Sequence, residues 1–244
     1  MKLSGYSEKI RMKTPAFFCM KNSCLIFILC LVLTSCVKEV TTDPFQNRIF
    51  SIYELSYDRN AGKTMVMATF RVGSDTGRTL KLSSASEVKF ANEAIPFEPG
   101  RNDYYREFSR TITVGTFFYR DSIKNVYSNN INLIARIENP VVNTINRAQG
   151  SFELDWLGDS IIADSYVMVT LKSLADTSKK EVFYQRSLGA GSLIMGLDKL
   201  NRLPAGPAII RTERYFEKKA TSASPAGGLI RSRYIAPDRS ISLL

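Results

Sequence analysis

Histidine is absent from the 244-residue chain, and cysteine occurs only at Cys19, Cys24, Cys30 and Cys36. Beyond residue 36 there is neither imidazole nor thiol, which excludes Ser-His-Asp and Cys-His nucleophile systems and the common zinc sites. A disulfide framework is excluded there for the same reason. The uncharged apolar run Cys24 to Leu33 has ten residues. As a helix it spans about 15 Å at roughly 1.5 Å per residue, against a hydrocarbon core about 30 Å thick, so it is too short for a permanent transmembrane span. No basic helix and no long Lys/Arg run is present, which argues against nucleic acid as a partner. The Gly-rich pieces Gly189-Ala-Gly191 and Ala226-Gly-Gly228 lack a following Lys-Ser/Thr and read as turns rather than phosphate cradles.

What is present begins with Lys2, Lys9, Arg11, Lys13 and Lys21 ahead of that apolar run, with Glu8 the one acid among them. A basic stretch, a short apolar stretch and small residues make a signal peptide, residues 1–35. Leu33-Thr34-Ser35-Cys36 resembles the lipobox of bacterial lipoproteins. That resemblance implies cleavage between Ser35 and Cys36, a diacylglycerol on the Cys36 thiol and acylation of the new amino group. Two or three acyl chains, at about 0.8 kcal/mol per buried methylene, anchor stably where one chain is marginal. Val37 then favours the outer membrane by the sorting rule of such proteins. Residues 37–43 offer only Glu39 and Asp43 as an acidic export tag, so the side the body faces is left open. Cleavage lowers the formal net charge from +10 to about +6.

The mature chain opens with a polar tether, residues 36–46, and then alternates with period two between turn residues. Ile49 to Tyr57 and Thr64 to Val72 form a hairpin about Asp58-Arg-Asn-Ala-Gly62, and Thr111 to Tyr119 pairs with Val126 to Ile131 about a polar turn. Asn139-Pro140 divides the chain into residues 47–138 and 139–244, each of β-sandwich size. In the second half Tyr166 to Leu171, Val182 to Tyr184, Leu193 to Met195, Ala208 to Arg211, Leu229 to Ile235 and Ile241 to Leu243 read as strands. Leu197, Leu200 and Leu203 give one helical turn or two. Leu203-Pro-Ala-Gly206 resembles the corner before the late strands of fibronectin type III and other immunoglobulin-like domains, with Ala208 where their tyrosine stands. The expected fold is all-β: two tandem immunoglobulin-like β-sandwiches after a lipoprotein signal peptide.

The candidate ligand-binding residues are aromatic. Neighbours on a strand face opposite ways, so one residue of Tyr104-Tyr105 and one of Phe117-Phe118-Tyr119 must leave the core. Tyr105 and Tyr119 are the residues expected outside, and Trp156, in phase with Phe152 and Leu154, is either core or a sugar-stacking platform. Asp155 and Asp159 are the carboxylates that a glycan hydrolase would need, roughly 5 to 9 Å apart. With Asp164 they offer oxygen ligands, as does the loop Asp58 to Gly62, yet no segment has the density of a calcium loop, so no metal and no cofactor is expected. Arg211, Arg214, Lys218, Lys219, Arg231 and Arg233 make a basic hairpin, expected to be solvated and suited to acidic glycans.

The reading is a non-enzymatic outer-membrane lipoprotein, anchored through Cys36, that binds polysaccharide or an envelope protein. The alternatives are a structural subunit of an envelope assembly and, behind it, a carboxylate-dependent hydrolase. Met20-Lys-Asn-Ser before the apolar run is the compact form of such a signal, so translation is expected to start at Met20. An N-terminally tagged precursor made only when Met1 is kept and Met20 is mutated would contradict it.

Overall fold

The computed structural model describes residues 40–41 and 45–244. The signal peptide, the cleavage position at Ser35 and the lipidated Cys36 lie outside the described residues. The first strands are β1 (Val40–Thr41), β2 (Ile49–Asp58), β3 (Lys63–Val72), β4 (Thr79–Leu82), β5 (Glu87–Phe90), β6 (Glu93–Ala94), β7 (Phe97–Glu98), β8 (Asp103–Phe108), β9 (Val114–Arg120) and β10 (Val126–Asn132). They are followed by β11 (Ile137–Glu138), β12 (Thr144–Ile145), β13 (Phe152–Asp155), β14 (Leu157–Gly158), β15 (Ser165–Ser173), β16 (Lys180–Gln185), β17 (Ser192–Met195), β18 (Gly206–Lys219), β19 (Gly228–Ile235) and β20 (Arg239–Leu243). The class is all-β, as expected, and the leucine-rich turn is a helix over Leu197–Leu200.

The β2–β3 hairpin forms where the alternation and its turn place it. The Asp58 carboxylate accepts the Asn60 backbone N–H (2.8 Å), and Gly62 takes the positive φ of +64° that closes the turn. β2 and β3 lie in a sheet of order β1-β4-β3-β2-β19-β18-β15-β16, with β8 also on β3 and β20 also on β18. The sheet does not stop at residue 139. β19, from late in the chain, pairs in parallel with β2 from Gly228 beside Ser51 to Ile235 beside Asp58. Asn139, at the expected boundary, is buried, and its amide donates to the Pro237 carbonyl (2.8 Å).

Two hydrophobic cores lie on this one sheet. In the first, Tyr53, Leu55, Val66 and Phe70 of β2 and β3 meet Val88, Phe90, Phe117 and Tyr119 of the four-stranded sheet β10-β9-β5-β6. Rings interlock across the layers: Tyr53 lies 5.0 Å from Phe117 and Phe70 lies 4.6 Å from Tyr119, centroid to centroid. In the second, Val167, Val169, Leu171, Ala208 and Ile210 of β15 and β18 are covered by Leu154 and Trp156, by Leu193 and Met195, and by Leu200 and Leu203. β19 serves both cores, Ile230 entering the first and Tyr234 the second.

Two expectations are corrected. Tyr119 is 2% exposed rather than outside, because Phe117 and Tyr119 share the inward phase of β9 and Phe118 takes the outward one. Arg214 is fully buried rather than solvated. β18 runs eight residues past Arg211, and its inward phase continues through Ala208, Ile210, Thr212 and Arg214. The Arg214 guanidinium donates to the backbone carbonyls of Asp159 (2.9 Å) and Ser160, and burial lowers its pKa.

At the β2–β19 seam the backbones approach so closely that a Cβ on Gly228 would lie 2.7 Å from Ser51 Oγ and 2.8 Å from the Ser51 carbonyl oxygen. Gly228→Ala is expected to cost about 1–3 kcal/mol by forcing the strands apart. Because β19 completes both cores, Trp156 fluorescence and far-UV circular dichroism should shift together to one lower urea midpoint.

Candidate functional site

The sheet has a second face, turned away from both cores, and strand alternation fixes what it carries. On β18 the residues between the inward ones are Arg211, Glu213, Tyr215 and Glu217; on β19 they are Arg231 and Arg233, on β2 Glu54 and Ser56, and on β15 Tyr166 and Met168. Register then sets them in rows across the strands. Tyr166 lies opposite Tyr215, Tyr215 opposite Arg233 and Arg233 opposite Ser56. Beside that row, Glu217 lies opposite Arg231, Arg231 opposite Glu54, Glu54 opposite Met67 and Met67 opposite Tyr105.

The first row is a stack. The Tyr166 and Tyr215 rings are parallel within 4° at 4.8 Å between centroids, the spacing of neighbouring strands. Arg233 lies 5.2 Å from the Tyr215 centroid and Arg186 lies 4.8 Å from that of Tyr166, so each end of the ring pair carries a guanidinium. Arg186 also reaches Tyr184 of β16, whose side chain is 54% exposed. Glu213, buried on the same face two residues along β18, accepts from Arg233 Nη2 (2.7 Å), Arg233 Nε (3.0 Å) and the Tyr215 hydroxyl. Burial, reinforced by the Glu213 carboxylate, raises the Tyr215 phenol well above its usual range, so it stays protonated and donating. Arg231 Nε binds Glu217. Tyr166, Tyr215, Arg231, Arg233 and Glu217, with Glu54 and Phe216, line a cavity of about 180 Å³.

Glu54 is the uncommon member. Burial raises its carboxyl above the ordinary glutamate value, and Arg233 and Arg231 oppose that shift without cancelling it. The arrangement commits the faces of Tyr166 and Tyr215 to each other and to the arginines, and the Tyr215 hydroxyl and two donors of Arg233 to Glu213, which leaves the exposed Arg186 guanidinium at its end. It is suited to accept carboxylate, sulfate or hydroxyl groups, not to stack a sugar ring on those two tyrosines.

The residues singled out from sequence are dispersed. Tyr105 is half-buried on the outer face, with the Arg101 guanidinium 3.9 Å from its ring centroid and its hydroxyl donating to Glu107 (2.6 Å). Burial and that bond push its phenol up to about 12. Tyr119 lies in the first core, and Trp156, 5% exposed, lies in the second. The Trp156 indole N–H donates to the Asp159 carbonyl (3.1 Å), so the residue serves as core and turn closure, not as a platform. Asp155 and Asp159 are exposed on either side of it. Among the described residues no group of three or more Cys, Asp or Glu stands close enough to hold a metal ion. Tyr166, Tyr215 and Arg233 were findable by phase, since Val167 and Val169 must point inward, but their stacking depends on pairings that single strands do not encode.

No family model and no curated protein matches the sequence. Among solved structures the chain is similar to a structure concerned with host cell surface retention of a 1.5-MDa bacterial ice-binding adhesin, at 12% identity and a TM-score of 0.22. That match covers 80% of this chain and 65% of the other. It is similar also to the two tandem V-type regions of a v-region-containing chitin-binding protein, at 10% identity, a TM-score of 0.21, and 77% and 98% of the two chains. At such TM-scores neither likeness carries an argument about what this chain binds.

Arg233→Ala is expected to cost about 3 kcal/mol in urea unfolding, because it strands the buried Glu213 carboxylate. The raised pKa of Glu54 means that the folded state binds its proton more tightly than the unfolded chain does. Its contribution to stability is therefore fully present below the ordinary glutamate value and is lost as pH rises from there through the raised value. Glu54→Gln should flatten that decline, raising the urea midpoint at neutral pH and leaving it nearly unchanged in acid.

Proposed function

We propose that this chain is a non-enzymatic lipoprotein of the outer membrane, anchored through Cys36, whose outer sheet face binds an acidic glycan at the cell envelope. The observation that carries the reading is the Arg186–Tyr166–Tyr215–Arg233 stack. Stacking holds the guanidinium planes in place, so less side-chain freedom is lost when their N–H edges meet a carboxylate or sulfate. Glu217 and Glu213 take part of the donor set of Arg231 and Arg233, while Arg186 stands at the exposed end of the row beside Tyr184. Leu33-Thr34-Ser35-Cys36 supports the anchor, and the absence of histidine and of thiol beyond residue 36 supports a binding rather than a catalytic role.

The test is affinity electrophoresis through gels holding polygalacturonate or neutral dextran. The protein should be retarded by the acidic polymer alone. Arg186→Ala, at an exposed position, should weaken retardation roughly tenfold, the size of one charge-assisted hydrogen bond of about 1.5 kcal/mol, with an unchanged circular dichroism spectrum. Equal retardation by dextran, or an Arg186→Ala variant that binds like the parent, would overturn the reading.

A further inference from the structure

One end of the first half gathers three loops. Residues 45–48 lead into β2, residues 73–78 join β3 to β4, and residues 121–125 join β9 to β10. The Gly73 N–H donates to the Arg48 carbonyl (2.7 Å), and the Tyr119 hydroxyl, next to the third loop, meets Gln46 Oε1 (3.4 Å), so the three form one tip. This tip exposes Phe45 (56%), Ile123 (59%) and Val126 (54%), large apolar side chains that burial would otherwise claim. Among them stand Arg48, Arg78 and Lys124, all exposed, with Asp75 the one exposed acid on these loops. The third loop is rigid: the Asp121 carboxylate accepts the Ile123 N–H (3.0 Å), the Asn125 N–H (2.8 Å) and the Asn125 side-chain amide (2.9 Å), which turns Ile123 and Lys124 outward.

The direction of β1 links this tip to the anchor. β1 is parallel to β4, with Val40 beside Lys81, and β4 begins at the tip, so the N-terminal end of β1 is directed there as well. Cys36 precedes Val40 by four residues, which reach at most about 14 Å in any conformation. We propose that the tip is a membrane-docking surface that seats Phe45, Ile123 and Val126 in the anionic headgroup layer of the bilayer holding the Cys36 lipid. The proposal rests on the lipid-anchor reading above. Apolar side chains on loops that carry three exposed cations against one acid are the chemistry of an interfacial segment, and each Lys or Arg near an anionic surface favours the docked state about fivefold. Docking at this end stands the long sheet upright, with its tyrosine and arginine face beside the bilayer rather than pressed on it.

The full chain, processed in a lipoprotein-producing bacterium, is reconstituted in vesicles of phosphatidylglycerol and phosphatidylcholine with brominated acyl chains. Flotation is compared for the parent and Cys36→Ser, and tryptophan quenching for Ile123→Trp and for Leu174→Trp at the opposite end of the sheet. Docking predicts Cys36-dependent flotation, quenching at position 123 and not at 174, and loss of that quenching in R48Q/R78Q/K124Q. Cys36-dependent flotation without quenching at 123 would keep the anchor and overturn the docking. Flotation indifferent to Cys36→Ser would overturn the anchor, and the docking with it.

Discussion

The parallel pairing of β19 with β2 is the contact on which the rest of the molecule depends. Without it the chain would be two separate layers of β structure; with it a single sheet runs from β4 to β16. The pairing closes a loop from Ser51 to Gly228, an entropic cost that grows only slowly with length, so a distant strand can complete the first core nearly as well as a near one. What makes it specific is steric. Gly228 admits the Ser51 backbone where any side chain would collide, and Ile230 fills the first core only in this register. A slip by one residue would turn Ile230 out and Arg231 in.

The same register composes the outer face. Tyr166, Tyr215 and Arg233 belong to three strands from different parts of the second half, and Glu54 comes from the first. None of these neighbours is local in sequence, and the row exists because three ladders share one phase. Inward residues of the same strands fill the cores, so the face and the cores cannot be shifted independently. A substitution that disturbs the seam should therefore act on stability and on the face together, while one at Arg186, outside the ladders, acts on the face alone.

The legible part of the sequence was whatever depends on short range. The hairpin at Asp58 to Gly62, the helical turn at Leu197 to Leu200 and the inward phase of Val167, Val169 and Leu171 follow from turn chemistry and alternation. Tyr119 was misplaced because a run of three aromatics allows either phase, and only its packing on Phe70 decides between them. Arg214 was misplaced for a different reason. A charge among Arg211, Lys218 and Lys219 reads as solvent-facing, yet the phase set by Ala208 and Ile210 carries it inward, where two loop carbonyls and not a carboxylate meet its terminal nitrogens and Nε is left without a partner among the described residues. Pairing between Ser51 and Gly228 left no local trace at all, since nothing in either segment names the other.

The outer face carries a cost, as do the cores, where Tyr53 Oη and Arg214 Nε are buried without a hydrogen-bonding partner among the described residues. Ser56 Oγ is buried without a hydrogen-bonding partner among the described residues, Glu54 is held among groups that do not fully offset its burial, and the Glu213 carboxylate is buried against Arg233. Apolar residues of similar volume at these positions would pack at least as stably, because buried ion pairs seldom repay their desolvation. A layer of polar groups that stability alone does not favour stands where the sheet is left uncovered, beside stacked rings that fix two guanidinium planes. Buried polar groups that stability alone does not favour therefore stand on both faces of the sheet, and the register that fills the cores also fixes where they lie.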